Sequence, residues 1–93
     1  MQKLIGTIRI TPNPGSDTER AYFEVMFVPY HGRLNTKPVK VTTHEELLTF
    51  LMEIRISEDE AARWAGIARS QGVVLISGVS RTEAQLRESG LLV

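Results

Sequence analysis

The chain has 93 residues and a mass of 10.4 kDa, which is room for one domain spanning residues 1–93. Lysine plus arginine count 11 and aspartate plus glutamate count 11, so the formal net charge is zero. Hydrophobic residues make up 42%, which excludes a disordered chain, and the neutral charge argues against a general nucleic-acid binder because no positive field attracts a polyanion.

Three strands are predicted in the first half of the chain. Residues 3–10 alternate polar and apolar side chains, which indicates a strand with one buried side. Residues 11–19, with two prolines and a glycine, end it. Residues 20–28 form the second predicted strand, which is apolar on both faces and therefore central or covered on its second face. Residues 38–42, which begin with proline, predict a short edge strand.

The second half is predicted to be mostly helical. Thr43 with Glu46 and Ser57 with Glu60 have the spacing of capping boxes, and apolar residues follow each pair at helical spacing. Residues 73–76 are entirely apolar and predict a buried strand. A third capping box at residues 80–83 predicts a short last helix that Gly90 ends.

The predicted order β-β-β-α-α-β-α indicates an α+β two-layer sandwich. We expect a mixed, mostly antiparallel sheet of about four strands with two to three helices on one face. The first three strands would form an antiparallel meander. The fourth strand, which follows a helical crossover, would run parallel to a neighbour, most simply the first strand. Its apolar sequence would also suit the middle of the sheet, so the strand order stays open.

One candidate site for a small anion is the loop after the second strand. It holds Tyr30, His31, Arg33 and Lys37. The imidazole of His31 and the two basic side chains could hold an anion. The alternative is a solvated loop in which glycine and asparagine make turns.

A second candidate for an anion is the predicted turn between the last strand and the last helix. It contains Ser77, Gly78, Ser80 and Arg81. Free backbone donors at a helix N-terminus attract phosphate or carboxylate, and Arg81 adds a charged donor. The spacing is neither that of a P-loop nor that of a dinucleotide fingerprint, so an ordinary turn is the alternative.

No catalytic residues, metal site or cofactor are predicted. Cysteine is absent, and His31 and His44 are the only histidines, with Leu48 where a metal-binding helix would need a second histidine. The acidic residues 58–60 follow a helix N-cap, where they oppose the positive end of the helix dipole. An enzyme is therefore disfavoured, since no set of nucleophile, base and orienting group can be assembled.

The sequence also predicts where the protein is found. Residues 1–10 lack the apolar core of a signal peptide, and the apolar run at residues 73–76 is far shorter than the roughly 20 residues of a membrane helix. These features predict a cytoplasmic protein without membrane association.

The leading functional hypothesis comes from the second face of the sheet. Ile5, Tyr22, Met26 and Val28 would lie there together, and an exposed apolar patch of this kind often marks an interface. This favours a non-catalytic protein-interaction module that forms a homodimer. The alternative cover for this face is the last helix or the C-terminal residues 91–93. The second hypothesis is a sensor of a small anionic ligand, bound at residues 77–81 or residues 30–37.

Overall fold

A computed structural model describes residues 3–93. Its elements are β1 (Lys3–Asn13), β2 (Tyr22–Pro29), β3 (Val39–Val41), α1 (His44–Glu53), α2 (Glu58–Gln71), β4 (Val74–Thr82) and α3 (Glu83–Glu88). This order and the α+β class confirm the prediction from sequence.

The four strands form one antiparallel sheet in the order β3-β2-β1-β4. Of the two positions left open for β4, the structure has the one beside β1, at the edge of the sheet, and the middle position and the predicted parallel direction are both wrong. β3 ends at Val41 opposite Phe23, and β4 begins at Val74 opposite Ile10. Since Phe23 lies opposite Pro12 of β1, the chain leaves the sheet and returns to it at the same end. Two helices fill this connection, and β4 must therefore run back antiparallel to β1.

The core lies on one face of the sheet. Ile8, Ile10, Val25 and Phe27 point into it and are fully buried. α1 contributes Leu47, Phe50 and Leu51, and α2, which packs on β1 and β4, contributes three small alanines. The same cluster contains Leu86 of α3 and the C-terminal Leu91 and Leu92. The last helix and the tail therefore add to the helical layer, and the alternative in which they cover the other face of the sheet is wrong.

The first two helices begin at the N-caps that the spacing predicts. The Glu46 amide donates to Thr43 Oγ1 at 3.0 Å and the Glu60 amide donates to Ser57 Oγ at 3.4 Å. The reciprocal half of these two predicted capping boxes is not formed, and Glu46 Oε2 instead accepts from the Thr42 amide and hydroxyl. The full capping box of the described residues lies later than predicted and joins Thr82 to Gln85. The reason is that β4 continues past Ser80, which is still paired with β1.

One close approach between strands depends on glycine. A Cβ at Gly6 would lie 2.9 Å from Pro29 Cα and would also overlap the Val28 carbonyl. Both atoms belong to the backbone of β2, and hydrogen bonds to β1 hold this backbone in place. By contrast, Gly66 in α2 has open space around the position of a Cβ.

We predict opposite effects for alanine at these two glycines. Gly6→Ala should lower the free energy of unfolding by about 2 kcal/mol because the strands must separate. Gly66→Ala should raise it by up to ~1 kcal/mol because alanine is the better helix former. Urea unfolding followed by the fluorescence of Trp64 measures both. A Gly6→Ala variant as stable as the wild type would show that β1 and β2 do not approach as described.

Candidate functional site

The open face of the sheet is the side that faces away from the helices. The strand register places on it Ile5, Arg9, Tyr22, Glu24, Met26, Val28 and Leu75. Three of these are strongly exposed apolar side chains: Ile5 at 51%, Val28 at 40% and Leu75 at 59%. Within residues 3–93, every helix contributes its buried residues to the core on the opposite side. The four interface residues predicted from sequence therefore share one uncovered face.

Leu75 is a member of the open face that sequence reasoning missed. Residues 73–76 are all apolar, and this pattern predicts burial on both sides of the strand. In the structure Val74 and Ile76 are buried while Leu75 lies opposite Arg9 and is exposed. The one signal in the sequence that could have placed Leu75 on an interface is its apolar side chain, since a position that contacts only solvent does not require one.

Some charged side chains of the open face form ion pairs and others do not. The Lys40 ammonium lies 2.7 Å from Glu19 Oε1 and 4.2 Å from the centre of the Tyr22 ring. The hydrogen bond to Glu19 raises the pKa of Lys40 above its ordinary value. Arg9 Nη2 instead rests 3.2 Å from Met26 Sδ. In the part of the chain that the structure describes, neither Arg9 nor Glu24 forms an ion pair.

The predicted turn at residues 77–81 is a strand. Gly6 lies opposite Val79 and Ile8 lies opposite Ile76, so Ser77 and Gly78 together face Thr7 in a β-bulge. Gly78 takes a φ of 72° there. The expectation of a helix N-terminus at Ser80 is therefore wrong. The side chains also separate, since Ser80 lies opposite Ile5 of the open face while Arg81 lies opposite Leu4, which packs against the core.

Tyr30 connects the two candidate anion sites. Its hydroxyl accepts the Gly78 amide at 2.7 Å, and its own amide donates to the Ile5 carbonyl at 3.0 Å. The end of β2 thus contacts the bulge of β4 across β1. Hydrogen bonds from the Thr7 hydroxyl, and next from the Gly78 amide, hold the pKa of Tyr30 below its ordinary value.

The other predicted loop residues do not converge with Tyr30. His31, Arg33 and Lys37 are all exposed. Arg33 lines a shallow pocket with Glu83 and Arg87, which form a 3.2 Å ion pair with each other. The positive charge of Arg87 in that pocket is thereby already neutralised.

Comparison with protein-family models, curated proteins and solved structures finds no match to this chain. Across residues 3–93 the helices are all too short or too polar to cross a membrane. The same residues hold no cluster of three or more side chains suited to a metal ion.

We predict that Tyr30 ionises at lower pH than an ordinary tyrosine. In a Tyr22→Phe background Tyr30 is the sole tyrosine, and its absorbance titration should have a midpoint below pH 10.0. Because folding favours the phenolate, the contribution of Tyr30 to stability should grow as the pH rises through this midpoint, and should be complete above the unfolded pKa. Thr7→Val should move the midpoint up. A midpoint that is insensitive to Thr7→Val would contradict the described hydrogen bond.

Proposed function

We propose that this chain is a small cytoplasmic interaction module that forms a homodimer by packing two copies of its open face together. The observation that carries the proposal is that Ile5, Val28 and Leu75 are exposed apolar side chains on one uncovered face of the sheet, while the helices cover the other face. Exposed large apolar side chains that gather on one face are common at interfaces.

The size of the open face suits a dimer of modest affinity. The four strands have 11, 8, 3 and 9 residues, and at ~3.4 Å along and ~4.8 Å between strands they cover roughly 500 Å². Two such faces bury about 1,000 Å², which lies at the lower limit for a specific interface. Two such sheets can stack face to face at about 10 Å with their strands nearly aligned.

The charges on the open face favour a second copy over an unrelated partner. Arg9 lies opposite Met26, and Glu24 lies two residues before Met26 on the same strand. Both are half-buried, and neither has an ion-pair partner within residues 3–93, although Lys40 of β3 lies opposite Glu24. In a twofold dimer each contact occurs twice, so Arg9 of one protomer can meet Glu24 of its partner on both sides of the axis. The face is thus complementary to itself in charge as well as in hydrophobicity.

We predict that a charge placed on the open face at Val28 separates the protomers. Val28→Lys should give a monomer of 10.4 kDa, because a desolvated lysine would face apolar side chains of the partner. Met52→Lys is the matched control, since Met52 lies on α1 and is 42% exposed against 40% for Val28. Sedimentation velocity should find the wild type and Met52→Lys at twice the monomer mass. If Val28→Lys sediments like the wild type, the open face is not the interface.

We also predict that reversing the charge of Arg9 or of Glu24 alone weakens the dimer, and that reversing both charges together does not. Arg9→Glu and Glu24→Arg should each weaken the dimer about tenfold or more, because like charges then meet across the axis. The double variant restores the opposite pairing and should recover most of the affinity. Dimer dissociation constants from dilution series measure this cycle. Strictly additive effects in the double variant would contradict pairing between Arg9 and Glu24.

A further inference from the structure

A second surface, on the helical side of the sheet, has the composition of a binding pocket. It lies between the end of α1 and α3 and has a volume of about 220 Å³. Arg55, Arg81, Gln85 and Ser89 line it together with the exposed Glu53 and Glu88. This volume is too small for a cofactor and is enough for a small anion.

Arg55 occupies a backbone conformation that normally belongs to glycine. Its φ is 72°, and among residues 3–93 it is the one non-glycine residue with positive φ. The Arg55 amide donates to the Met52 carbonyl and the Ile56 amide donates to the Leu51 carbonyl, both at 3.0 Å. This is the Schellman ending of a helix, in which glycine is strongly preferred at the position of Arg55. Backbone strain at a residue whose side chain lines a pocket indicates that the side chain has a function there.

Arg81 provides the inner wall of the same pocket. Its Nε donates to the Ile54 carbonyl and its Nη1 to the Ser80 carbonyl, both at 2.6 Å. A guanidinium has five N–H donors, so Nη2 keeps both of its donors for another acceptor. Burial, and next the positive charge of Arg55, lower the pKa of Arg81 below its ordinary value.

The two arginines of this pocket are not engaged in ion pairs in the part of the chain that the structure describes. Glu53 and Glu88 line the same pocket, but neither carboxylate pairs with Arg55 or Arg81. The Gln85 side chain adds neutral donors, since its oxygen accepts the Thr82 amide and its NH₂ group is left over. Two facing cations with unused donors form an arrangement that an anion would stabilise.

We propose that Arg55 and Arg81 together bind a small phosphate group, either inorganic phosphate or the phosphate of a monoester. The rigid donors of Arg81 hold the oxygens of the phosphate from inside the pocket, and the Arg55 guanidinium closes over it from the helix end. The volume of about 220 Å³ restricts the pocket to a single phosphate group.

The test is an NMR titration with inorganic phosphate and with glycerol phosphate, at an ionic strength held constant with chloride. The wild type should show saturable shifts at the Arg55 amide and the Arg81 Nε signals. Binding of phosphate but not of glycerol phosphate would identify a site for the free ion, and the reverse would identify a monoester site. The absence of saturable shifts with both would overturn the proposal.

Variants show whether the Arg55 side chain is responsible for phosphate binding. Arg55→Gly should raise the melting temperature without phosphate, because it relieves the backbone strain, and should weaken phosphate binding about tenfold. Arg20→Ala is the control, because it removes the same charge from an exposed loop. Equal affinities in Arg55→Gly and the wild type, or equal losses in Arg55→Gly and Arg20→Ala, would contradict the proposed site. Val28→Lys should bind phosphate as the wild type does, which separates this site from the proposed dimer.

Discussion

β1 is the strand on which the other elements of this fold depend. It pairs with β2 on one side and with β4 on the other, and its residues alternate between two very different environments. Ile8 and Ile10 are fully buried against the helical layer, while Ile5 is half exposed on the open face. Because the three helices of residues 3–93 and the leucines Leu91 and Leu92 join the same core cluster, they cover one face of the sheet and leave exposed apolar side chains on the other.

The backbone at one end of the open face is held by several constraints at once. Gly6 lets β1 and β2 approach more closely than a side chain would permit. Directly beside it, the bulge at Ser77 and Gly78 bends β4, and the Tyr30 hydroxyl accepts the Gly78 amide. Ile5 and Val28 are therefore presented by a well-supported surface. A surface that is already ordered loses less conformational entropy on association than a flexible one.

The parts of the structure that local sequence determines were predictable, and those that depend on distant pairing were not. The starts of α1 and α2 follow from Thr43 and Ser57, whose hydroxyls accept amides three residues later. The direction of β4 depends on a connection of two helices, and its continuation to Thr82 depends on pairing with residues near the N-terminus. The sequence therefore indicates an unusual backbone conformation at Gly78, but it does not show that this conformation belongs to a β-bulge and not to a turn.

The candidate sites also divide into features that local sequence predicts and features that depend on contacts between distant residues. The alternation in β1 and β2 was sufficient to place Ile5, Tyr22, Met26 and Val28 on one face, because side-chain direction in a strand is a local property. Leu75 was hidden by its apolar neighbours, and the pocket of Arg55 and Arg81 joins residues from separate elements. The positive φ of Arg55 left no trace in the sequence, since no glycine marks it.

The contact between two open faces can be observed directly by an isotope-filtered NOE experiment on a mixture of labelled and unlabelled chains. Such a spectrum reports only contacts between different protomers. If two open faces pack together, intermolecular signals join the methyl groups of Ile5, Val28 and Leu75 to one another and to the Met26 methyl group. Intermolecular signals from the helical side alone, or none at concentrations well above the dissociation constant of such an interface, would contradict this packing.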